Sequence, residues 1–366
     1  MASRVTRRLL SRRPGGRAVV VGAAVCRAIL AFLRIAGHRS EPAIRRRSRL
    51  SFGVGGPSPT RLCADRPCPS VETDLAPPTR FVCRIGVFAV HDTGQDMILS
   101  RRPAGYLRPF IDSVWASYPP FSIRNERCRE RVLPTGAVHI AIRLDAEPLR
   151  LFDRVEDDTG RTVGVAVVGG ARACAYLKDV SAPVPTVGAL IRPGAVGLVT
   201  GVPASAFYGL HLSLDDLWGA DAASIRDRLG EVASAAARLD LWETLLSARL
   251  PRVTGIDPAI AASIAQLNRG TAVRTIVQQL GCSHRHFIAQ FCEAVGMPPK
   301  RYGRVRRFAQ LLDGLSAAPP ASWADAAAAA GYADQPHFNR EFLEFAGLSP
   351  EQYRQRASAN GFHVPL

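Results

Sequence analysis

The sequence predicts an α+β fold in which a β-rich region precedes an all-helical one. Three observations predict it. The stretch RVLPTGAVHIAIRL alternates apolar and other residues, the period of a half-buried strand. Patterning changes to a helical period from about residue 203. Near the end, one arrangement of Phe, Phe, Gly, Pro and Tyr is stated twice, 51 residues apart.

In chain order, residues 1–96 come first, rich in Pro and Gly and holding 17 Arg and Lys against 6 Asp and Glu. This composition reads as a disordered leader. It reads equally as an extension from a start placed too far upstream, since patterned sequence begins just after Met97. The apolar stretch Ala18–Gly37 resembles a secretion signal, but Arg27 and Arg34 interrupt it. Its longest run falls far short of the roughly 20 residues that cross a bilayer, so no membrane partner is expected. The net charge of +16 sits mostly in this segment. Residues 97–253 carry 19 basic against 17 acidic side chains and residues 254–366 carry 11 against 8, so charge by itself argues nothing about nucleic acid. The eight Cys include no C-x-x-C pair, which suits a reduced, cytoplasmic chain without a zinc site.

Residues 97–253 read as a β-rich domain ending in helices. Val138, Ile140, Ile142 and Leu144 mark one strand, and RTVGVAVVGG and PTVGALIRPGAVGLVTG are short apolar runs broken by Gly and Pro. Leu217, Ile225, Leu229, Leu239, Leu241 and Leu245 then give an apolar helical side. Pro193, Phe207, Tyr208 and Trp218 are candidates to line a pocket, and residues 251–258 suit a linker.

Residues 254–366 are expected to be helical almost throughout. Val273, Ile276, Val277 and Leu280 form a stripe that must pack on something, and Gly281 stops that helix. Ser283 then caps a helix over 283–295, with Phe287 and Phe291 on one face. The same grammar returns with Gly331, the cap Asp334, and a helix over 334–346 anchored by Phe338 and Phe342. Gly296 and Gly347 suit helix C-caps. Two helix-turn-helix units follow, joined by a helix over Pro299–Leu315. Such a pair can place two helices in successive major grooves from one chain.

The segments GCSHRHFIAQFCEAVGMPPKRY and AGYADQPHFNREFLEFAGLSPEQYR resemble the two helix-turn-helix units of AraC/XylS-type transcriptional regulators. Residues 97–250 resemble, more weakly, the N-terminal domain of a subgroup of these regulators. The resemblance implies a cupin-like sensor domain that binds an effector or pairs two copies into a homodimer. It also implies double-stranded promoter DNA and the transcription machinery as partners. The chain departs from the family pattern at Pro336, where a polar residue is usual, and at Ala289, where a basic or polar one is frequent.

With the Phe pairs inward, Arg285, His286, Gln335, His337, Asn339 and Arg340 point outward and are the candidates for DNA contact. Arg can bond bidentately to guanine, and Asn or Gln to adenine. The family pattern also allows Arg340 to pair with an acidic residue inside its unit. Lys300, Arg301, Arg304, Arg306 and Arg307 are candidates for phosphate contact. Two alternatives stay open: a cupin-like metal-dependent enzyme fused to a DNA-binding module, and a DNA-binding protein with no ligand. Against the enzyme, His139 is alone on its strand while His91 and His211 are far off in sequence, and no nucleophile elbow or phosphate loop occurs. No catalytic residue, metal or cofactor is expected.

Overall fold

The computed structural model describes residues 97–118, 128–182, 184–317, 322–357 and 361–366, with short strands between Val82 and Asp92. The expectations for residues 1–81 lie outside the described residues. Strands β1 (Val82–Cys83) and β2 (Gly86–Val87) pair with each other. The rest of the β region is built from β3 (Ala89–Asp92), β4 (Met97–Arg101), β5 (Ile111–Tyr118), β6 (Arg129–Val132), β7 (Val138–Arg143) and β8 (Leu149–Phe152). It continues with β9 (Arg161–Gly164), β10 (Ala166–Gly169), β11 (Tyr176–Asp179), β12 (Thr186–Ile191) and β13 (His211–Ser213). One further strand, β14 (His363–Pro365), comes from beyond the helices.

A seven-stranded antiparallel sheet runs β13-β10-β7-β12-β5-β4-β3, and a five-stranded one runs β14-β6-β11-β8-β9. The expected alternation on β7 is present. Val138, Ile140 and Ile142 are buried, with His139, Ala141 and Arg143 on the opposite face. Helices cover the first face; the second sheet covers the other, where Leu149 and Leu151 pack on Val167, Ala141, Val163 and Tyr176.

The helices are α1 (Val196–Thr200), α2 (Asp215–Trp218), α3 (Ala220–Gly230) and α4 (Ala235–Arg249), then α5 (Pro258–Asn268) and α6 (Val273–Leu280). They continue with α7 (His284–Val295), α8 (Pro299–Ala317), α9 (Trp323–Ala329), α10 (Gln335–Ala346) and α11 (Pro350–Arg356). Trp242 anchors α4 to the sheet by donating its indole N–H to the Gly188 carbonyl at 3.1 Å. The two helix-turn-helix units are α6–α7 and α9–α10, with α8 between them. Of the stripe on α6, Ile276 and Val277 are buried, whereas Leu280 at its end is 37 % exposed. Gly296 ends α7 at φ 94°, and a Cβ there would also sit 3.0 Å from the Ala204 carbonyl. The position therefore needs glycine for conformation and for close approach to the β region.

The space between the sheets holds a feature that linear sequence hides. His139 and His211 are distant along the chain, but both are register partners of Gly169 on β10. Their rings lie 5.4 Å apart, closed over a residue with no side chain. A Cβ on Gly169 would fall 2.1 Å from His139 Cε1 and 2.7 Å from His211 Nε2. Arg172 approaches from outside, its Nη2 3.4 Å from His211 Nδ1 and its guanidinium 4.3 Å above the Tyr176 ring. Burial, with Arg172 and Lys178 nearby, lowers the His139 pKa to about 4. Burial beside His139 and Arg172 lowers that of His211 as well.

Both rings are therefore neutral in the folded chain under conditions where the unfolded chain would protonate them. Unfolding takes up protons, so this contribution to stability is complete above about pH 6.5 and is lost as the pH falls toward 4. Denaturation in urea at a series of pH values should show a loss of about 3 kcal/mol attributable to His139 over that window. His139→Gln should flatten the slope.

Candidate nucleic-acid interface

Helices α7 and α10 each begin with a side-chain cap. Ser283 Oγ accepts from the His286 amide at 3.2 Å, and Asp334 Oδ1 accepts from the His337 amide at 2.6 Å. These caps satisfy amides that would otherwise be left open at the helix start. Inside the first unit Phe287 and Phe291 are buried, their ring centroids 5.6 Å apart, with Phe291 also 5.6 Å from Tyr302. Inside the second, Phe338 and Phe342 repeat the 5.6 Å spacing, and Trp323 stacks on Phe338 at 5.9 Å. All four Phe predicted to be core are core.

With that face fixed inward, Arg285, His286, Gln335, Asn339 and Arg340 are exposed, and so are Ala289 and Pro336. His337 is half-buried, its Nε2 3.8 Å from Glu341 Oε2. Neither Arg285 nor Arg340 has a hydrogen-bond or ion-pair partner among the described residues. Arg340 is thus not spent inside its own unit. Gln335 and Asn339 border a shallow groove with Trp323, Leu343 and Pro350, where Leu343 is 56 % exposed.

The cations of α8 are placed differently. Arg304 Nε lies 2.7 Å from Glu341 Oε2, and Arg307 Nη2 lies 3.1 Å from Glu341 Oε1. The Glu341 side chain is 1 % exposed. Arg304 and Arg301 both pair with Glu344, one turn further toward solvent. Arg306 turns the other way and donates to the Thr135 carbonyl of the β region at 2.9 Å. Lys300 is exposed without a partner among the described residues. Four of the five cations that look like a phosphate-binding stripe in sequence are therefore engaged within the protein. The acidic residues that engage three of them were not singled out from sequence, though Glu341 and Glu344 sit one and four residues after Arg340.

Helix α10 ends on the β region. The Ala175 amide donates to the Phe345 carbonyl at 2.8 Å, and Arg131 Nη1 to the Ala346 carbonyl at 3.3 Å. These are terminal carbonyls that the helix cannot satisfy itself, and a cation there also suits its dipole. Beside Arg306 a cavity of about 540 Å³ opens between α5, α8 and the seven-stranded sheet, edged by Arg108, Arg192, Pro193, Ile264 and Tyr302. Of the four pocket candidates only Pro193 reaches it; Phe207 and Trp218 are buried elsewhere and Tyr208 is exposed. Among the described residues no three His, Cys, Asp or Glu side chains are grouped to hold a metal ion. None of the described helices is long and apolar enough to cross a membrane.

Residues 276–356 match a family model described as a helix-turn-helix domain, and residues 100–213 match one described as a domain of unknown function, DUF6597. No curated protein matches the chain. Among solved structures, ToxT from Vibrio cholerae O395 is similar at 9 % identity and TM-score 0.35, over 62 % of this chain and 94 % of that one. ToxT from strain SCE256 with a bound unsaturated fatty acid is similar at 11 % identity and TM-score 0.35, over 62 % and 91 %. The AraC-like transcriptional activator CuxR is similar at 15 % identity and TM-score 0.16, over 62 % and 80 %. The paired units joined by one helix and the family match over 276–356 together identify this part of the chain as an AraC-type helix-turn-helix domain.

Proposed function

We propose that the chain is a transcriptional regulator that reads two adjacent major grooves of promoter DNA with α7 and α10, under the influence of its β-rich region. The observation that carries this is the matched pair of capped helices, each presenting one exposed, unpartnered arginine, Arg285 and Arg340. A recognition helix enters the groove by its N-terminal half, where these residues lie. His286, Gln335, His337 and Asn339 flank them as further contacts. Lys300 is the phosphate contact favoured on α8, while Arg304 and Arg307 act through Glu341 in holding α8 to α10.

The experiment is selection of bound duplexes from random DNA by the full chain. Arg340→Ala should weaken binding to a selected duplex by about 1–3 kcal/mol and relax preference at one base pair. Equal weakening on every sequence would reassign the residue to phosphate.

Glu341→Gln separates structure from recognition. It leaves two arginines beside a neutral group, which should cost about 3–5 kcal/mol of stability in urea denaturation. The base preferences of whatever remains folded should not change.

A ligand reading is favoured by unmet donors between the sheets. Arg172 donates to His211 Nδ1, so the proton of this neutral ring is on Nε2, and that buried atom has no partner. Arg172 Nε is likewise buried and unpartnered. The fit is to a small molecule carrying a carboxylate or similar acceptor, rather than to a cation. A thermal-shift screen of small carboxylic acids should find stabilisers, and Arg172→Ala should abolish their effect. No stabilisation by any acid would leave the β region a pairing or scaffolding element.

A further inference from the structure

Strand β14 lies on the edge of the five-stranded sheet, although it follows the helix-turn-helix units in sequence. His363, Val364 and Pro365 pair with Val132, Arg131 and Glu130. The attachment extends on both sides, since the Leu133 amide donates to the Phe362 carbonyl at 2.8 Å and the Leu366 amide to the Arg129 carbonyl at 3.1 Å. Val364 is fully buried. At the other end, Tyr353 of α11 donates its hydroxyl to the Gly361 carbonyl at 2.9 Å.

The ribbon β14-β6-β11 has two faces with different duties. Val364, Arg131 and Leu177 form one cross-strand row, and Arg131 in it bonds the end of α10. The rows on the opposite face are His363, Val132 and Tyr176, and Pro365, Glu130 and Lys178. On that face Glu130 stands between His363 and Lys178, with His363 Nδ1 at 2.7 Å and Lys178 Nζ at 2.9 Å. Burial opposes its charge, but Lys178 and His363 hold the carboxyl well below the usual carboxylate range. Tyr176 on the same face has its ring 4.6 Å from that of His211, so this face of the ribbon meets the histidine pair.

We propose that β14 is a releasable clasp: closed, it pins the second helix-turn-helix unit to the β region, and Glu130 is its latch. Two features of the fold, and one consequence of a bound acceptor, favour release as the working motion. The strand has three residues and lies on a sheet edge, the kind of element that opens locally at low cost. Its hold on the second unit, through Tyr353 and Gly361, adds to that of α8, against which Gly361 also lies at Ser316 and Leu312. Finally, an acceptor ligand drawn to Lys178 would compete with Glu130 and so reach the clasp from inside. A closed clasp fixes the second recognition helix at one spacing from the first, which is docked at Ala204; opening lets it follow the duplex. This consequence for binding rests on the proposed recognition of DNA by both units.

The test uses the full chain in two variants. Val364→Asp puts a charge in a buried site of the clasp, while Val132→Cys with His363→Cys joins two register partners by a reversible disulfide. Hydrogen exchange should quicken at least tenfold across residues 335–356 in Val364→Asp and stay unchanged across 284–295. Oxidation of the double-cysteine chain should slow exchange in the same segment. It should also weaken binding to a duplex selected by the parent chain at least fivefold, with recovery on reduction. The parent chain, which has cysteines of its own, should show no such redox effect. Exchange across the second unit that ignores both variants would overturn the clasp. A response in exchange with equal affinity in both redox states would overturn its control of binding. If the parent chain retained no duplex at all, the DNA proposal would fail separately, and exchange would still decide the clasp.

Discussion

Glu341 lies between α8 and α10 with its side chain almost wholly shielded from water, receiving Arg304 and Arg307 from the connecting helix and facing His337 on its own. Removing a carboxylate and its cations from water costs several kcal/mol per ion before attraction offsets it, so this geometry has little tolerance for a missing partner. In return it fixes direction. Two arginines one turn apart on α8 converge on one carboxylate and set the rotation of α10 about its axis. That rotation decides which side chains α10 shows to solvent. The outward position of Arg340 and Asn339 thus follows from the ion cluster at Glu341, together with the aromatic pair beneath.

Helices α7 and α10 both give their C-terminal ends to the β region and leave their N-terminal halves exposed. Gly296 lets α7 approach Ala204 closely, while Ala175 and Arg131 satisfy the last carbonyls of α10. The exposed ends are those where helix dipoles favour an anion. The two parts of the molecule are therefore arranged in series, with the β region at one end of α7 and α10 and their capped, exposed ends at the other.

Much of this was legible in the sequence because local signals governed it. The Phe pairs, the caps Ser283 and Asp334, and the Gly stops each act within a few residues, so spacing alone exposed both units. The alternation on β7 was legible for the same reason. Three things were not. The histidine pair depends on Gly169 lying between two strands far apart in sequence, which no linear spacing reports. The roles of Arg304, Arg306 and Arg307 depend on which face of α8 meets α10 and which meets Thr135. A run of cations looks alike whether it is solvated or bonded. Strand β14 is three residues long, too short for a periodic signal, and is made a strand by β6 alone.

That last feature changes what counts as a module here. The stretch 251–258 looks like a clean joint along the chain, yet the sheet on one side of it is finished by residues from the far side. Cutting there would leave one fragment with a bare, adhesive sheet edge and the other with a short apolar segment lacking a seat. Exchange of reader halves between proteins of this build is therefore constrained at both ends of the exchanged piece. A foreign reader would fit this body only if it also brought a matching last strand.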